Sequence, residues 1–402
     1  MTNSFIEKEE LYCAHNYRPL PVVLTKGEGV YVWDDAGNRY LDMMSAYSAV
    51  SHGHCHPKLV AELHKQAQQL NIVSRAFYTD KLGSFLEKAC QLTGFECALP
   101  MNTGAEAVET ALKAARKWAY TVKGVPEDQA EIIACTNNFH GRTIAIVSLS
   151  TEPQYKNGFG PFPKGMRVIP YGDPEALQKA ITPNTAAFLV EPIQGEGGII
   201  VPSAGYLKKC ADVCKKNNVL MICDEVQTGL GRTGKLLAFQ HEDMKPDAIV
   251  LGKALGGGLL PVSLFLTRRD IMNVFTPGDH GSTFGGNPLA AAVGAKALDV
   301  LVEEKLTERA YEIGNYFQDC LKSLKSSLIK EVRGKGLLIG LEIHNQYPAR
   351  EICLQMLKYG VLSKETHKTV IRFAPPLIIT KVQIDVVVNA LQKVLKEVEV
   401  KS

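Results

Sequence analysis

Apolar residues along this chain fall into two rhythms. Short unbroken runs at 131–136 (EIIACT), 144–149 (IAIVSL), 219–223 (VLMIC) and 248–251 (AIVL), with the AAFLV run before Glu191, have the length and branching of strands buried on both faces. Between them lie stretches with helical spacing at 58–70, 80–93, 105–119 and 205–217, and a long helix opening near Asn287-Pro288. Such alternation predicts an α/β fold with a mostly parallel central sheet. Residues 18–44 alternate differently and read as a small β-meander, with turns at Lys26-Gly27-Glu28-Gly29 and Asp35-Ala36-Gly37-Asn38. Residues 151–183, rich in Pro, Gly and Tyr, read as a long surface loop. From about 325 the pattern becomes α+β: a strand at 336–343, a helix near 349–359, a strand with a turn at 369–379 and an amphipathic helix at 381–398. The expected organisation is a large domain at 45–285 and a connecting helix at 286–324. A small α+β domain is then built from both chain ends, 1–44 and 325–402.

The ends of two strand runs carry the chemistry. The first stops at Asp224, the second at Gly252-Lys253. In open α/β sheets the carboxyl ends of strands line the ligand crevice, so one acid and one amine are expected in the same cleft. Pyridoxal 5'-phosphate (PLP) needs such a pair: a lysine for its Schiff base and a carboxylate that keeps its pyridine nitrogen protonated. On spacing alone, a surface lysine and a helix-capping aspartate fit as well. The loop Met101-Asn102-Thr103-Gly104 opens the helix 105–119 and offers backbone N–H groups to an anion. An ordinary cap at Thr103 is the plainer reading. Ser282 and Thr283, in a Gly-rich loop, are further phosphate donors.

Two patterns are set aside. His52, His54, Cys55 and His56 crowd into five positions, too close for all four to reach one metal ion, and no second cluster follows. Gly229-Leu230-Gly231-Arg232-Thr233-Gly234 matches a dinucleotide fingerprint, but it neither directly follows a strand nor opens an adequate helix.

Composition narrows the classes. A net charge of +3 on 402 residues gives no argument for nucleic acid or an anionic membrane. No apolar run approaches the ~20 residues of a membrane span. The ten cysteines lack framework spacing and read as thiols of a reducing compartment. The opening MTNSFIEKEELYCAHNYRP is unlike a signal or transit peptide, so a cytoplasmic protein is expected.

DEVQTGLGRTG, KPDAIVLGKALGGG and STFGGNPLA together resemble the class III (ω-amino-acid) aminotransferases of PLP fold type I, over nearly the whole chain. The resemblance implies that Lys253 carries PLP and shuttles the proton, with Asp224 at the pyridine nitrogen. It places Gly104 and Ala105 at the phosphate, Gln227 at the phenolic oxygen, and Phe139 and Val226 on opposite ring faces with His140 beside them. It sends the loop with Ser282 and Thr283 to a neighbouring subunit's cofactor, implying a homodimer. It makes Arg372 the substrate-carboxylate arginine, masked by Glu196 in one half-reaction. Arg142 offers a bidentate carboxylate grip. NYRPLPV and SAYSAV, around Tyr17 and Tyr47, resemble the family members that take L-ornithine and 2-oxoglutarate. Acetylornithine or another ω-amine as donor, and a non-catalytic scaffold, remain as alternatives.

Overall fold

The structure, a computed structural model, describes residues 4–344 and 347–401. At its centre is a seven-stranded sheet in the order Cys97–Met101, Ser263–Thr267, Ala248–Leu251, Leu220–Asp224, Thr185–Val190, Glu131–Cys135, Met166–Ile169. All neighbouring pairs are parallel except the two made by Ser263–Thr267, which runs antiparallel to both of its neighbours. Every residue of Thr185–Val190, Leu220–Asp224, Ala248–Leu251 and Ser263–Thr267 is buried. That is why these strands appear as continuous apolar runs rather than alternating ones. Separate apolar clusters form on the two sides of the sheet, one including Ile133, Phe188, Met221 and Ile249, the other Ile132, Leu189, Ile222 and Val250.

The smaller part joins both chain ends. Leu24–Glu28, Tyr31–Asp34 and Arg39–Asp42 form the antiparallel meander, and Val361–Leu362 adds a fourth strand, parallel to Arg39–Asp42. A second four-stranded sheet runs Ile329–Lys335, Leu338–Ile343, Val370–Phe373, Lys364–Thr366, all antiparallel. The helices Ala349–Leu357 and Lys381–Lys401 pack on each other, the first also against these strands.

Several expectations need correction. Residues 144–149 do not form a strand: Ile144–Val147 is a short helix opening after Thr143. A four-residue apolar turn cannot be told from a strand by composition alone. The supposed loop 151–183 contains helix Pro153–Lys156, edge strand Met166–Ile169 and helix Pro174–Ala180, each helix starting at a Pro after an acidic cap (Glu152, Asp173). The connecting segment 286–324 is two helices, Pro288–Glu303 and Leu306–Ser323, divided at Lys305 in a left-handed conformation. Helix Ser4–Tyr12 and strands Cys97–Met101 and Ser263–Thr267 were not anticipated.

Candidate active site

The parallel strands deliver their carboxyl ends to one edge of the sheet, and a cavity of about 270 Å³ opens there. Gly104, Ala105, Phe139, His140, Arg142, Glu196, Asp224, Val226, Gln227 and Lys253 all line it, together with Glu191. Asp224 and Lys253 thus meet in one cleft although 28 residues of chain lie between them. Lys253 is held at φ 45, a left-handed conformation that a non-glycine residue adopts at a cost and that here re-aims the chain just after Leu251.

Charge in the cleft is arranged around Asp224. Its Oδ2 accepts a hydrogen bond from His140 Nδ1 at 2.7 Å and its Oδ1 accepts from the Val226 N–H at 3.0 Å. Burial opposes protonation of His140, but the Asp224 hydrogen bond and the charges of Asp224 and Glu191 outweigh it and raise the imidazole above its ordinary value. Burial depresses the Lys253 amine, against the opposing pull of Glu196 and Asp224. Glu191 caps Thr185–Val190 and accepts from the Phe139 N–H at 3.0 Å and the Gly195 N–H at 3.4 Å. Burial, with the nearby Asp224 charge and against that of His140, lifts its carboxyl to about 7.

Thr103 caps helix Gly104–Trp118 in a reciprocal box with Glu106 that takes up the Glu106 N–H, and the first two helical residues, Gly104 and Ala105, line the cavity. A Cβ at Gly104 would sit 2.9 Å from Val226 Cγ1, so only glycine leaves this wall open. Gly195 is needed for a similar reason: an added Cβ would overlap the Gln227 Oε1 position at 1.4 Å.

An adjoining cavity of about 520 Å³ holds the other expected residues: Tyr17, Tyr47, Arg142, Glu196 and Arg372. Arg372 is 1% exposed and its Nη1 pairs with Glu196 Oε1, which also accepts from Gln227 Nε2 at 3.2 Å. Burial works against the Glu196 charge, but Arg372 and Lys253 outweigh it and hold this carboxyl below its ordinary value. The Arg372 guanidinium lies over the Tyr47 ring, 4.9 Å from its centroid. Tyr47 sits in a left-handed turn of four non-glycine residues, Ser45 to Ser48, with φ 40, 47, 60 and 75. Such a turn costs about 1–2 kcal/mol per residue and persists only if its surroundings hold it. Arg142 is exposed, its guanidinium over Tyr155 at 4.3 Å and Phe139 at 5.6 Å.

Two expected residues lie elsewhere. Ser282 and Thr283 share a surface hollow with Ile72, Val73, Ser74 and Arg75. They touch the cleft only indirectly, Ser282 Oγ accepting from Asn102 Nδ2 at 2.8 Å. Glu191 and Tyr155 were missing from the expected set. An acid at the end of an all-apolar strand was the available signal for Glu191. Tyr155 gave none.

The crowded histidines are dispersed: His52 contacts the Ala297 carbonyl, His54 pairs with Asp42 and His56 with Glu304. No group of three or more His, Cys, Asp or Glu among the described residues is placed to hold a metal ion. No helix among them is long and apolar enough to cross a membrane. Cys210 and Cys214 are buried free thiols.

A fold-type-I sheet with a lysine, an aspartate–histidine pair and a glycine-walled anion rim at its carboxyl edge defines a PLP-dependent transferase. The chain matches the family Aminotransferase class-III over residues 12–395 and belongs to it. It is 60% identical to the ornithine aminotransferase of Geobacillus sp. (strain WCH70), over 98% of both chains. The crystal structure of the ornithine aminotransferase from Toxoplasma gondii ME49 superposes with a TM-score of 0.97 at 46% identity, covering 99% of this chain and 96% of that one. An acetylornithine aminotransferase from Elizabethkingia anophelis superposes with a TM-score of 0.89 at 50% identity, over 98% of both chains.

The cofactor of this family is PLP, and the cleft fits it. Lys253 and Asp224 line it together, a Cβ at Gly104 would close its wall against Val226, and the buried His140 Nε2 has no partner in the protein.

Proposed function

We propose that this protein is an ornithine δ-aminotransferase. It transfers the δ-amino group of L-ornithine to 2-oxoglutarate, giving L-glutamate and glutamate 5-semialdehyde, which cyclises to pyrroline-5-carboxylate. The masked arginine carries this reading: a buried guanidinium already paired with Glu196 and faced by Tyr47. A donor that presents a terminal amine needs no cation near the reacting carbon, whereas an α-amino acid such as glutamate does. One site can serve both if Glu196 covers Arg372 for the first substrate and swings away for the second. Leaving that guanidinium bare in a dry site would be costly, which is why the mask is needed.

When bound, PLP supplies an electron sink for the carbanion at the substrate's amine-bearing carbon. The chain's own residues do the rest. Asp224, buttressed by His140, presents a carboxylate to the ring nitrogen. Gln227 presents its amide to the phenolic oxygen, and Gly104 and Ala105 present backbone N–H groups to the phosphate. Phe139 and Val226 close the two ring faces. The Lys253 amine, made less basic by burial, would take the proton from the δ-carbon of the donor and pass it to the cofactor within the same half-reaction, and in the second half-reaction deliver a proton to the α-carbon of the glutamate formed. Arg142, Tyr17 and Tyr47 hold the distant α-amino and α-carboxylate groups of ornithine.

The same reading assigns 45–285 to the cofactor-binding unit, 286–324 to the connection, and 1–44 with 325–402 to the small unit. It also makes the working form a homodimer in the cytoplasm. Ser282 and Thr283 then complete the partner's phosphate site, consistent with their position outside their own subunit's cavity.

A second reading, N-acetylornithine as donor, is favoured by the likeness to the Elizabethkingia enzyme. Incubation with 2-oxoglutarate and either donor separates the two, with glutamate formation read in both arms and pyrroline-5-carboxylate trapped by an aromatic amine in the ornithine arm. Trapped product from ornithine, with little turnover of the acetylated amine, is the expected result. The reverse preference would overturn the proposal. A protein that binds no coenzyme would point to the scaffold alternative instead.

A further inference from the structure

The GLGRTG motif, whose six residues are buried and open no helix, has a structural use. Arg232 is 0% exposed and its guanidinium joins three segments. Nη1 donates to the carbonyls of Leu337 (3.0 Å) and Pro375 (2.5 Å). Nη2 donates to Ser51 Oγ (2.9 Å) and Ser45 Oγ (3.3 Å). Those hydroxyls pass the constraint on. Ser51 Oγ donates to the Ser48 carbonyl at 3.0 Å and Ser45 Oγ to the Ala374 carbonyl at 2.6 Å.

Ser45 opens the left-handed turn that carries Tyr47 and Ser51 lies three residues past its end, and Ala374 and Pro375 follow Arg372 by two and three residues. Backbone bonds tie the same two segments, from the Ala374 N–H to the Met43 carbonyl and from the Leu377 N–H to the Ser51 carbonyl, each 2.8 Å. Asp42 fixes the entry to the turn, its Oδ1 accepting from the N–H groups of Met44 (2.8 Å) and Ser45 (2.9 Å). Tyr47 and Arg372 are therefore mounted on one stitched block, and Arg232 is its central fastener.

We propose that Arg232 is a positioning residue for donor selectivity: through Ser45 and Ser51 it holds the strained turn that keeps Tyr47 against Arg372. This rests on the aminotransferase reading above. It adds a residue that touches neither cofactor nor substrate. Once the fastener is weakened, the turn relaxes toward right-handed conformations and Tyr47 leaves the guanidinium. The pocket then admits ω-amines that lack ornithine's α-amino group.

The test compares kcat/KM for L-ornithine with that for 5-aminopentanoate in the wild type, S51A, Y47I and the double variant, with R232Q as a harsher probe. Losing a hydrogen bond to a charged group is expected to lower the ornithine preference of S51A by about tenfold. The glutamate half-reaction should keep its kcat. In the Tyr47→Ile background, Ser51→Ala should change the preference no further, because its effect runs through that ring. A crystal structure of S51A should show Ala46 and Tyr47 away from positive φ, independently of turnover.

An unchanged preference in folded S51A, or equal losses in both backgrounds, would overturn the inference while leaving the reaction intact. A wild type inert toward ornithine but active on another ω-amine would instead sink the functional reading. The inference would then fail too if S51A kept positive φ at Ala46 and Tyr47.

Discussion

Lys253 and Glu191 show how burial shifts the protonation of ordinary side chains in opposite directions. Replacing Lys253 with Ala should cut kcat by about 10²–10⁴-fold or more, the span that proton transfer by a positioned base contributes. In coenzyme-free protein the melting temperature should not fall, since a desolvated amine is removed; a loss of stability there would argue that Lys253 is structural. The Glu191 carboxyl titrates at about 7 against an ordinary 4.5, so the folded protein holds a proton that the unfolded chain gives up earlier. Its stabilising effect is full below about pH 4.5 and disappears as the pH rises through 7. Glu225, equally buried beneath the cleft, behaves the same way. In cofactor-free protein, E191Q should therefore lose less stability than the wild type between pH 5 and 8, by at most roughly 3 kcal/mol. Identical denaturation profiles would show that Glu191 stays ionised throughout. These two residues also mark the limit of reading a chain by type. Lys253 was visible because it follows the end of an apolar run within KPDAIVLGKALGGG, whereas Glu191, at the end of an equally apolar run, carries no motif that separates it from a solvated loop acid.

At the level of the elements, the cleft depends on where strands stop and helices start. The runs at 219–223 and 248–251 are legible because both faces of each strand are apolar. The Thr103 cap is legible from Thr-x-x-Glu. The strands Cys97–Met101 and Ser263–Thr267 are not, because a proline, a cysteine and a serine interrupt their apolar character. The helix Ile144–Val147 passes for a strand because β-branched residues fill its single turn. The glycine at the mouth of helix Gly104–Trp118 gives a sharp test. Gly104→Ala puts a methyl 2.9 Å from Val226 Cγ1 and should weaken coenzyme retention at least tenfold, read by its loss on dialysis. G104A that keeps coenzyme as the wild type does would mean that Val226 gives way freely. The Glu196–Arg372 pair predicts an asymmetric result. Glu196→Ala should raise KM for ornithine about tenfold or more, while the glutamate half-reaction keeps its rate, since only the first needs the cation covered. Equal damage to both half-reactions would count against the mask.

Across the whole molecule, the two parts meet at a glycine-built joint. At Gly336 a Cβ would lie 2.4 Å from the Thr233 carbonyl carbon and 2.7 Å from the Gly234 nitrogen, and at Gly314 it would lie 2.1 Å from the Gly336 oxygen. Only backbone fits between these segments. Gly336→Ala is expected to cost about 1–3 kcal/mol in denaturant unfolding, by forcing the joint apart. No such loss would mean that the interface is looser than its distances suggest. None of this was visible in the chain, because Gly336 acts on Thr233 and Gly234, about a hundred residues away, and Gly314 acts on Gly336 across a helix and a strand.

The strand Val361–Leu362, laid beside Arg39–Asp42, has a consequence for how the protein is made. A nascent chain leaving the ribosome exposes its first meander long before the strand that closes it has been translated. The Tyr47 turn must likewise wait for Ala374 and Pro375. The sheet core can organise early, but substrate recognition is assembled only in the last stage of synthesis. A product truncated before residue 361 would therefore lack the strand that closes the meander and the Ala374 carbonyl that braces the Tyr47 turn.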